Sequence, residues 1–128
     1  MHDVIGKQFA EALAQKDRAA LLALLDPDLD FRALTPGRFW EASSAETLVD
    51  DIILGTWFDP GDHIEELEDV EVGSVADRDR VSYRLRITNS EGTFLVEQQA
   101  YFGVDDDQIG LLRVMCSGYR PIGGPEPR

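Results

Sequence analysis

Thr93-Phe94-Leu95-Val96-Glu97-Gln98-Gln99-Ala100-Tyr101-Phe102-Gly103-Val104 is the stretch that decides the fold. Alternate side chains of a strand face opposite ways. One face carries Phe94, Val96, Gln98, Ala100 and Phe102, and the other carries Leu95, Glu97, Gln99 and Tyr101. The first face is apolar except for one amide. The second is mixed. An apolar sheet face with a lone polar group at its centre is expected of a pocket wall, so the stretch predicts a small protein built around a cavity.

The flanking segments pair with it. Upstream, Val81, Tyr83, Leu85 and Ile87 alternate with Ser82, Arg84 and Arg86, and Asn89-Ser90-Glu91-Gly92 makes the turn. Downstream, Asp105-Asp106-Asp107 turns the chain into a strand from Leu111 to Tyr119. Pairing Thr88 with Thr93 sets Tyr83 opposite Gln98 and Arg84 opposite Glu97. Pairing Phe102 with Leu112 sets Ala100 opposite Val114 and Gln98 opposite Cys116. Both registers keep the apolar faces together. Outward, the sheet then shows Arg84, Arg86, Glu97, Gln99, Tyr101, Arg113 and Met115. Interfaces are enriched in Tyr, Met and Arg. A homodimer through Arg84, Glu97, Tyr101, Arg113 and Met115 is the expectation.

The N-terminal half reads as helices. Ile5, Phe9, Ala12 and Leu13 fall at helical spacing over residues 3–15, with Asp3 as N-cap. Asp17 caps a second helix striped by Leu21, Leu24 and Leu25, which Asp26-Pro27 stops. Leu29 to Leu34 reads as a strand, and Thr35-Pro36-Gly37 as a turn before an aromatic plug, Phe39-Trp40. Ser43 and Glu46 form a capping box for a third helix, striped by Leu48, Val49, Ile52, Ile53 and Trp57. A strand centred on Val70 and Val72 follows. The three helices are expected to cover the apolar sheet face. Residues 3–121 form one domain, and 122–128 is expected to be a disordered tail.

The bulk properties narrow the partners. The chain has 128 residues, enough for one domain with a real core. Its net charge is −13, which repels phosphate backbones and anionic lipids, so neither nucleic acid nor a membrane is an expected partner. No apolar run is long enough to span a bilayer, and the N-terminus lacks a signal-peptide pattern, so the cytoplasm is the expected compartment. One cysteine excludes an intramolecular disulfide and a multi-cysteine zinc site.

Chemical motifs are few. Cys116 is expected inward, beside Gln98; a free cysteine usually serves as a small buried hydrophobe, and reactivity would need a base or positive field. His63 could line the cavity mouth, but no carboxylate partner is identifiable. His2 is expected to be mobile. Asp105 to Asp107 lack calcium-loop spacing. Glu65, Glu66, Glu68, Asp69 and Glu71 read as an exposed acidic rim. No phosphate loop, nucleophile elbow or zinc motif is present. Neither cofactor nor metal is expected.

The order helix, helix, strand, capped helix and four strands resembles the nuclear transport factor 2-like superfamily. Several phrases resemble its SnoaL-like branch: Phe9-Ala10-Glu11-Ala12-Leu13, Ala23-Leu24-Leu25-Asp26-Pro27-Asp28, Trp40-Glu41 and Val114-Met115-Cys116-Ser117-Gly118-Tyr119-Arg120-Pro121. The resemblance implies an α+β fold, a cone of curved antiparallel sheet packed against three helices around a pocket. In the ketosteroid isomerase branch, proton transfer needs a carboxylate base and two acidic hydrogen-bond donors. The matching positions here are Ala33, Phe9 and Ala100, none of which can do this. SnoaL-like cyclases use an acid/base inside the pocket, and no inward Asp is expected on the last two strands. Epoxide hydrolases of this fold use an inward Asp-Arg-Asp set, whereas Arg84, Arg86 and Arg113 are expected outward.

The leading expectation is therefore a protein binding a small hydrophobic molecule. Phe9, Phe31, Trp40, Trp57, Tyr83, Gln98, Ala100, Val114 and Cys116 are the candidate ligand-binding residues. A SnoaL-like enzyme acting on a hydrophobic cyclic substrate is the alternative. It would need His63 with Asp30 or Glu97 inside the cone. A third reading is a dimeric interaction module with a vestigial pocket.

Overall fold

The computed structural model describes residues 2–122. Ten elements follow in chain order: α1 (Asp3–Ala14), α2 (Arg18–Leu24), β1 (Leu25–Thr35), β2 (Arg38–Ala42), α3 (Thr47–Trp57), β3 (His63–Val75), β4 (Arg78–Asn89), β5 (Gly92–Asp105), β6 (Gln108–Cys116) and β7 (Arg120–Ile122). The strands form one seven-stranded sheet in the order β2-β1-β6-β5-β4-β3, with β7 also paired to β5. All pairings are antiparallel except β1 with β6, which is parallel.

The central registers are those the apolar alternation demands. Tyr83 lies opposite Gln98, and Arg84 opposite Glu97. Gln98 lies opposite Cys116, and Ala100 opposite Val114. The Asp105–Gln108 hairpin closes with Asp106 and Asp107 both in the left-handed region, at φ 51° and 63°. That is the two-residue turn whose twist suits a hairpin. One face of β4, β5 and β6 buries Val81, Tyr83, Leu85, Ile87, Val96, Ala100, Phe102, Leu112 and Val114. The helices cover it through Phe9, Leu13, Leu21, Leu48, Val49 and Ile53.

Local details depart from expectation for identifiable reasons. Asp3 is the first helical residue rather than the cap; His2 holds the N-cap position. Asp17 does cap α2, accepting from the Ala20 N–H at 3.1 Å. The capping side chain is Ser44, one residue beyond Ser43: its hydroxyl accepts from the Thr47 N–H at 3.1 Å and opens the short helical turn, residues 45–46, that leads into α3. α3 is wound as a π-helix: Phe58 N–H donates to the Ile53 carbonyl, five residues back, at 2.8 Å. The four-and-five spacing of residues 48, 52, 53 and 57 gathers them on one face in the π winding, whereas at about 3.6 residues per turn Leu48 and Trp57 would stand on opposite sides. β2 is an added short strand, in which Trp40 is buried and Phe39 is 54% exposed. The acidic run is exposed as expected, save half-buried Glu68. It belongs to β3, an edge strand paired along its length with β4, and acidic side chains protect an edge from other chains.

The last strand breaks where an unbroken one was expected. After Cys116, Gly118 takes φ 74° and Ser117 substitutes for the ladder, its hydroxyl accepting from the Glu97 N–H at 2.9 Å. β7 then rejoins β5, pairing Ile122 with Thr93. Ile122, expected to open a disordered tail, is therefore strand. The remainder of that expectation, 123–128, lies outside the described residues.

Candidate functional site

Between sheet and helices, one polar pair sits in an apolar layer. β4 and β5 place Tyr83 and Gln98 directly opposite each other, and the Tyr83 hydroxyl donates to Gln98 Oε1 at 2.6 Å. Tyr83 is 3% exposed and Gln98 1%. Burial raises the Tyr83 hydroxyl far above its ordinary pKa, and the nearby Cys116 thiol adds to the effect. The phenol therefore stays protonated and donates. Gln98 Nε2 has no hydrogen-bond partner among the described residues. Trp57 Nε1 is the other buried side-chain donor there without one. A buried polar group left unpaired costs about 1–3 kcal/mol, so such groups call for an explanation.

Aromatic side chains surround this layer. Phe9 meets Tyr83 edge-on at 6.3 Å. Trp57 packs on Phe31 at 6.0 Å and on Trp40 at 5.9 Å. Trp40 Nε1 donates to the Thr35 hydroxyl at 2.8 Å, and Arg38 lies over the Trp40 ring. Ala100 and Val114 complete the sheet wall, both buried. Cys116 is half-buried, and its Sγ accepts from the Gly118 N–H at 3.4 Å. With Leu54 and Tyr119, it packs against the core from the partly exposed side. The sequence-derived set thus divides in two: Tyr83, Gln98 and Cys116 on neighbouring strands, and Phe31, Trp40 and Trp57 stacked together over β1 and β2.

Tyr119 is a residue that sequence reasoning passed over. Its hydroxyl lies 2.6 Å from the Trp57 carbonyl and 2.9 Å from Asp62 Oδ2. Burial, and then the Asp62 carboxylate, push its pKa up, so it too remains a donor. Asp62 also accepts from Asn89 Nδ2 at 2.9 Å. Lys16 Nζ donates to the Asp59 carbonyl at 2.7 Å and to the Asp62 carbonyl. The turn after α3 is thus tied to the α1–α2 connection, to the β4–β5 turn and to the segment before β7. A tyrosine following a left-handed glycine is the one sequence signal that could have marked it.

The acid/base candidates do not meet inside. The His63 side chain is 75% exposed, lies 4.0 Å from Glu65 on β3, and borders a surface depression of about 490 Å³ shared with Glu11 and Lys16. Asp30 pairs with Arg113 at 3.2 Å, on the outside. Glu97 also points outward, 3.5 Å from Arg84 and 3.2 Å from Arg120. The condition for a His63-based enzyme is therefore not met. Asp79 is the buried carboxylate among the described residues. It is held by His2, through the backbone N–H at 3.2 Å and the ring Nδ1 at 2.9 Å. His2 is thus anchored, not loose. Asp79 lies four residues before Tyr83, about 13 Å along the strand. Ala33, Phe9 and Ala100, the positions matched to isomerase chemistry, are all buried on the inner side.

The outer sheet face is organised differently. Arg84, Arg86 and Arg113 all face outward, as expected. Glu68 accepts from Arg86 at 2.7 Å and lies 3.9 Å from Arg84. A depression of about 400 Å³ on this side reaches the backs of Tyr83, Gln98 and Cys116, among outward Ser82, Arg84 and Gln99. A second, of about 260 Å³, is lined by Leu34, Phe39, Tyr101 and Met115 beside Arg32 and Arg113. No group of three or more His, Cys, Asp or Glu that could hold a metal occurs among the described residues. No helix there is long and apolar enough to cross a membrane.

Solved structures share this architecture. A LEH-like epoxide hydrolase from Mycobacterium tuberculosis superposes with TM-score 0.64 at 17% identity, over 88% of this chain and 80% of its own. A candidate polyketide cyclase from Xanthomonas campestris pv. campestris gives 0.65 at 20%, over 87% and 86%. A nuclear transport factor 2-like protein of unknown function from Mesorhizobium loti gives 0.60 at 20%, over 89% and 88%. The chain has the nuclear transport factor 2-like fold. No protein-family model matches the sequence, and no curated protein matches it. Within the nuclear transport factor 2-like frame, Tyr83, Gln98 and Cys116 occupy the inner wall between sheet and helices, and the paired arginines the outer one.

Proposed function

We propose that this protein is a SnoaL-like member of the fold that binds a small, largely apolar molecule carrying a hydrogen-bond acceptor. The observation that carries this reading is Gln98 Nε2, a buried amide donor without a partner on an apolar sheet face. An apolar site with a few placed polar groups is the usual form of a small-molecule site. The Tyr83 hydroxyl fixes Gln98 Oε1, so the amide nitrogen is left to a ligand oxygen. Trp57 Nε1 supplies a second donor to the same layer. Binding rather than proton transfer is favoured, because an amide and a high-pKa phenol are poor acids and bases, and the candidate carboxylates face outward.

The test compares α-tetralone with tetralin, which has the same bicyclic frame without the carbonyl. Titration is followed by tryptophan fluorescence. Tetralone should bind at least tenfold more tightly, as one well-placed hydrogen bond to a buried donor allows. The double variant Gln98→Leu, Tyr83→Phe should erase the difference. Equal affinity for the two compounds in the unaltered protein would refute the reading.

A second reading, self-association through the outer face, rests on its own observation. Leu34, Phe39 and Met115 are 49%, 54% and 55% exposed around one apolar depression. A chain of charge −13 repels its own copies. On this face, however, Arg32, Arg84, Arg86 and Arg113 each already meet a carboxylate. A locally neutral, apolar patch on an acidic molecule fits a second copy of the same chain. Light scattering should give a dimer mass for the unaltered protein and a monomer mass for Met115→Asp; a monomer in both removes this reading.

A further inference from the structure

We propose that Cys116 is a covalent addition site for small enones, molecules with a carbonyl conjugated to a carbon–carbon double bond. The inference rests on the ligand reading above, because the same Gln98 amide would hold the carbonyl oxygen.

Three observations converge on the thiol. Cys116 and Gln98 are directly opposite on β6 and β5, and such residues keep their Cβ atoms about 4.5–5.5 Å apart. An oxygen held by Gln98 Nε2 would thus place a neighbouring carbon within reach of the sulfur. Gln98 itself is 1% exposed with that nitrogen unpartnered. The sulfur is not sealed away: Cys116 is half-buried, and Gly118 donates its N–H to Sγ at 3.4 Å. An inert packing cysteine needs none of these features.

The step is a conjugate addition. The thiol gives its proton to water, and the sulfur attacks the β-carbon. A carbon–sulfur bond forms while the double-bond pair moves onto the carbonyl oxygen as an enolate. Gln98 Nε2 donates to that oxygen as its charge develops, the role of an oxyanion donor. A proton from water returns to the α-carbon. Nothing leaves, nothing is oxidised or reduced, and the protein gains the mass of one whole enone.

The experiment treats the protein with 2-cyclohexen-1-one and, separately, with S-methyl methanethiosulfonate. The latter reacts with thiols without needing its oxygen held at a carbonyl site. Intact mass is followed with time, and Cys116→Ser maps the adduct. One enone should add, at Cys116, and excess α-tetralone should protect. The Gln98→Leu, Tyr83→Phe double variant removes both polar groups together and so spares the fold. It should slow enone addition about tenfold while leaving the thiosulfonate rate within about twofold. Absence of an adduct on folded protein, or equal slowing of both reagents, overturns the proposal. If α-tetralone binds in either of those cases, the ligand reading stands alone. If α-tetralone neither binds nor protects, both fall together.

Discussion

The two faces of one sheet are built from the same three strands and obey opposite rules. Inward, β4, β5 and β6 present Leu85, Val96, Ala100, Phe102 and Leu112, all at most 1% exposed, with Tyr83 and Gln98 as the polar pair. Outward, the same strands present Arg84, Arg86, Glu97 and Arg113 in ion pairs whose arginines stay a third or more exposed, save Arg113 at 32%. Each residue step crosses from a low-dielectric layer to a wet one. The same kind of contact therefore changes weight on crossing the sheet: a buried hydrogen bond is costly to break, and an exposed ion pair is not.

The contrast can be broken most forcefully at Leu85. Truncation to Ala should cost about 2–5 kcal/mol in urea unfolding, since Leu85 is fully buried. A smaller loss than for Arg84→Ala next door would mean the inner face is not the core. Next in size is Gln98→Leu, which strands the Tyr83 hydroxyl and should cost about 1–3 kcal/mol. Adding Tyr83→Phe should recover most of that loss; a double variant as unstable as the single one would show that the pair is not the unit.

Third comes the inner-face carboxylate. Burial pushes the Asp79 pKa up, but the hydrogen bonds and charge of His2 outweigh it and leave it below the ordinary 3.8. A depressed folded value means the contact's stability is present above the unfolded pKa and is lost as pH falls through the folded one. His2→Ala should therefore flatten the acid limb of the stability curve below about pH 4. An unchanged limb would show that His2 does not hold Asp79 in solution. The smallest effect belongs to Arg84→Ala, expected under about 1 kcal/mol and shrinking further in high salt. A salt-independent loss above that would place the outer pairs in a drier setting, such as a subunit interface.

What the sequence disclosed follows from the same contrast. Strict alternation from Val81 to Ile87 and from Phe94 to Phe102 leaves one register that keeps both faces consistent, so Tyr83, Gln98 and Cys116 could be placed on neighbouring strands. The resemblance to the nuclear transport factor 2-like superfamily supplied the cone. The parallel pairing of β1 with β6 was not legible, because it joins residues near 31 and 112 and leaves no local mark. Nor was the His2–Asp79 contact, whose partners are 77 residues apart. The π winding of α3 escaped because Leu48, Val49, Ile52 and Ile53 alone fit an α-helical stripe, and only Trp57 marks the longer period. β3 was read only around Val70 and Val72, since the acidic residues before them hide the alternation. Among site residues, Gln98 stood out as the lone amide on an apolar face, whereas Tyr119 reached Trp57 only through the kink at Gly118.

The parallel pair carries a consequence for how the protein is made. β1 is finished by residue 35, yet β6, the strand that joins the β2-β1 ribbon to β5, β4 and β3, is made only after all of those strands. Until it emerges, the ribbon and the three-stranded meander each keep an open edge facing where β6 will lie, and exposed edges invite pairing with other chains. The sheet therefore closes only once β6 is made, by inserting a central strand rather than by adding an outer one. A chain stopped just before Gln108 would hold most of its core residues and still lack the single strand that makes them one sheet.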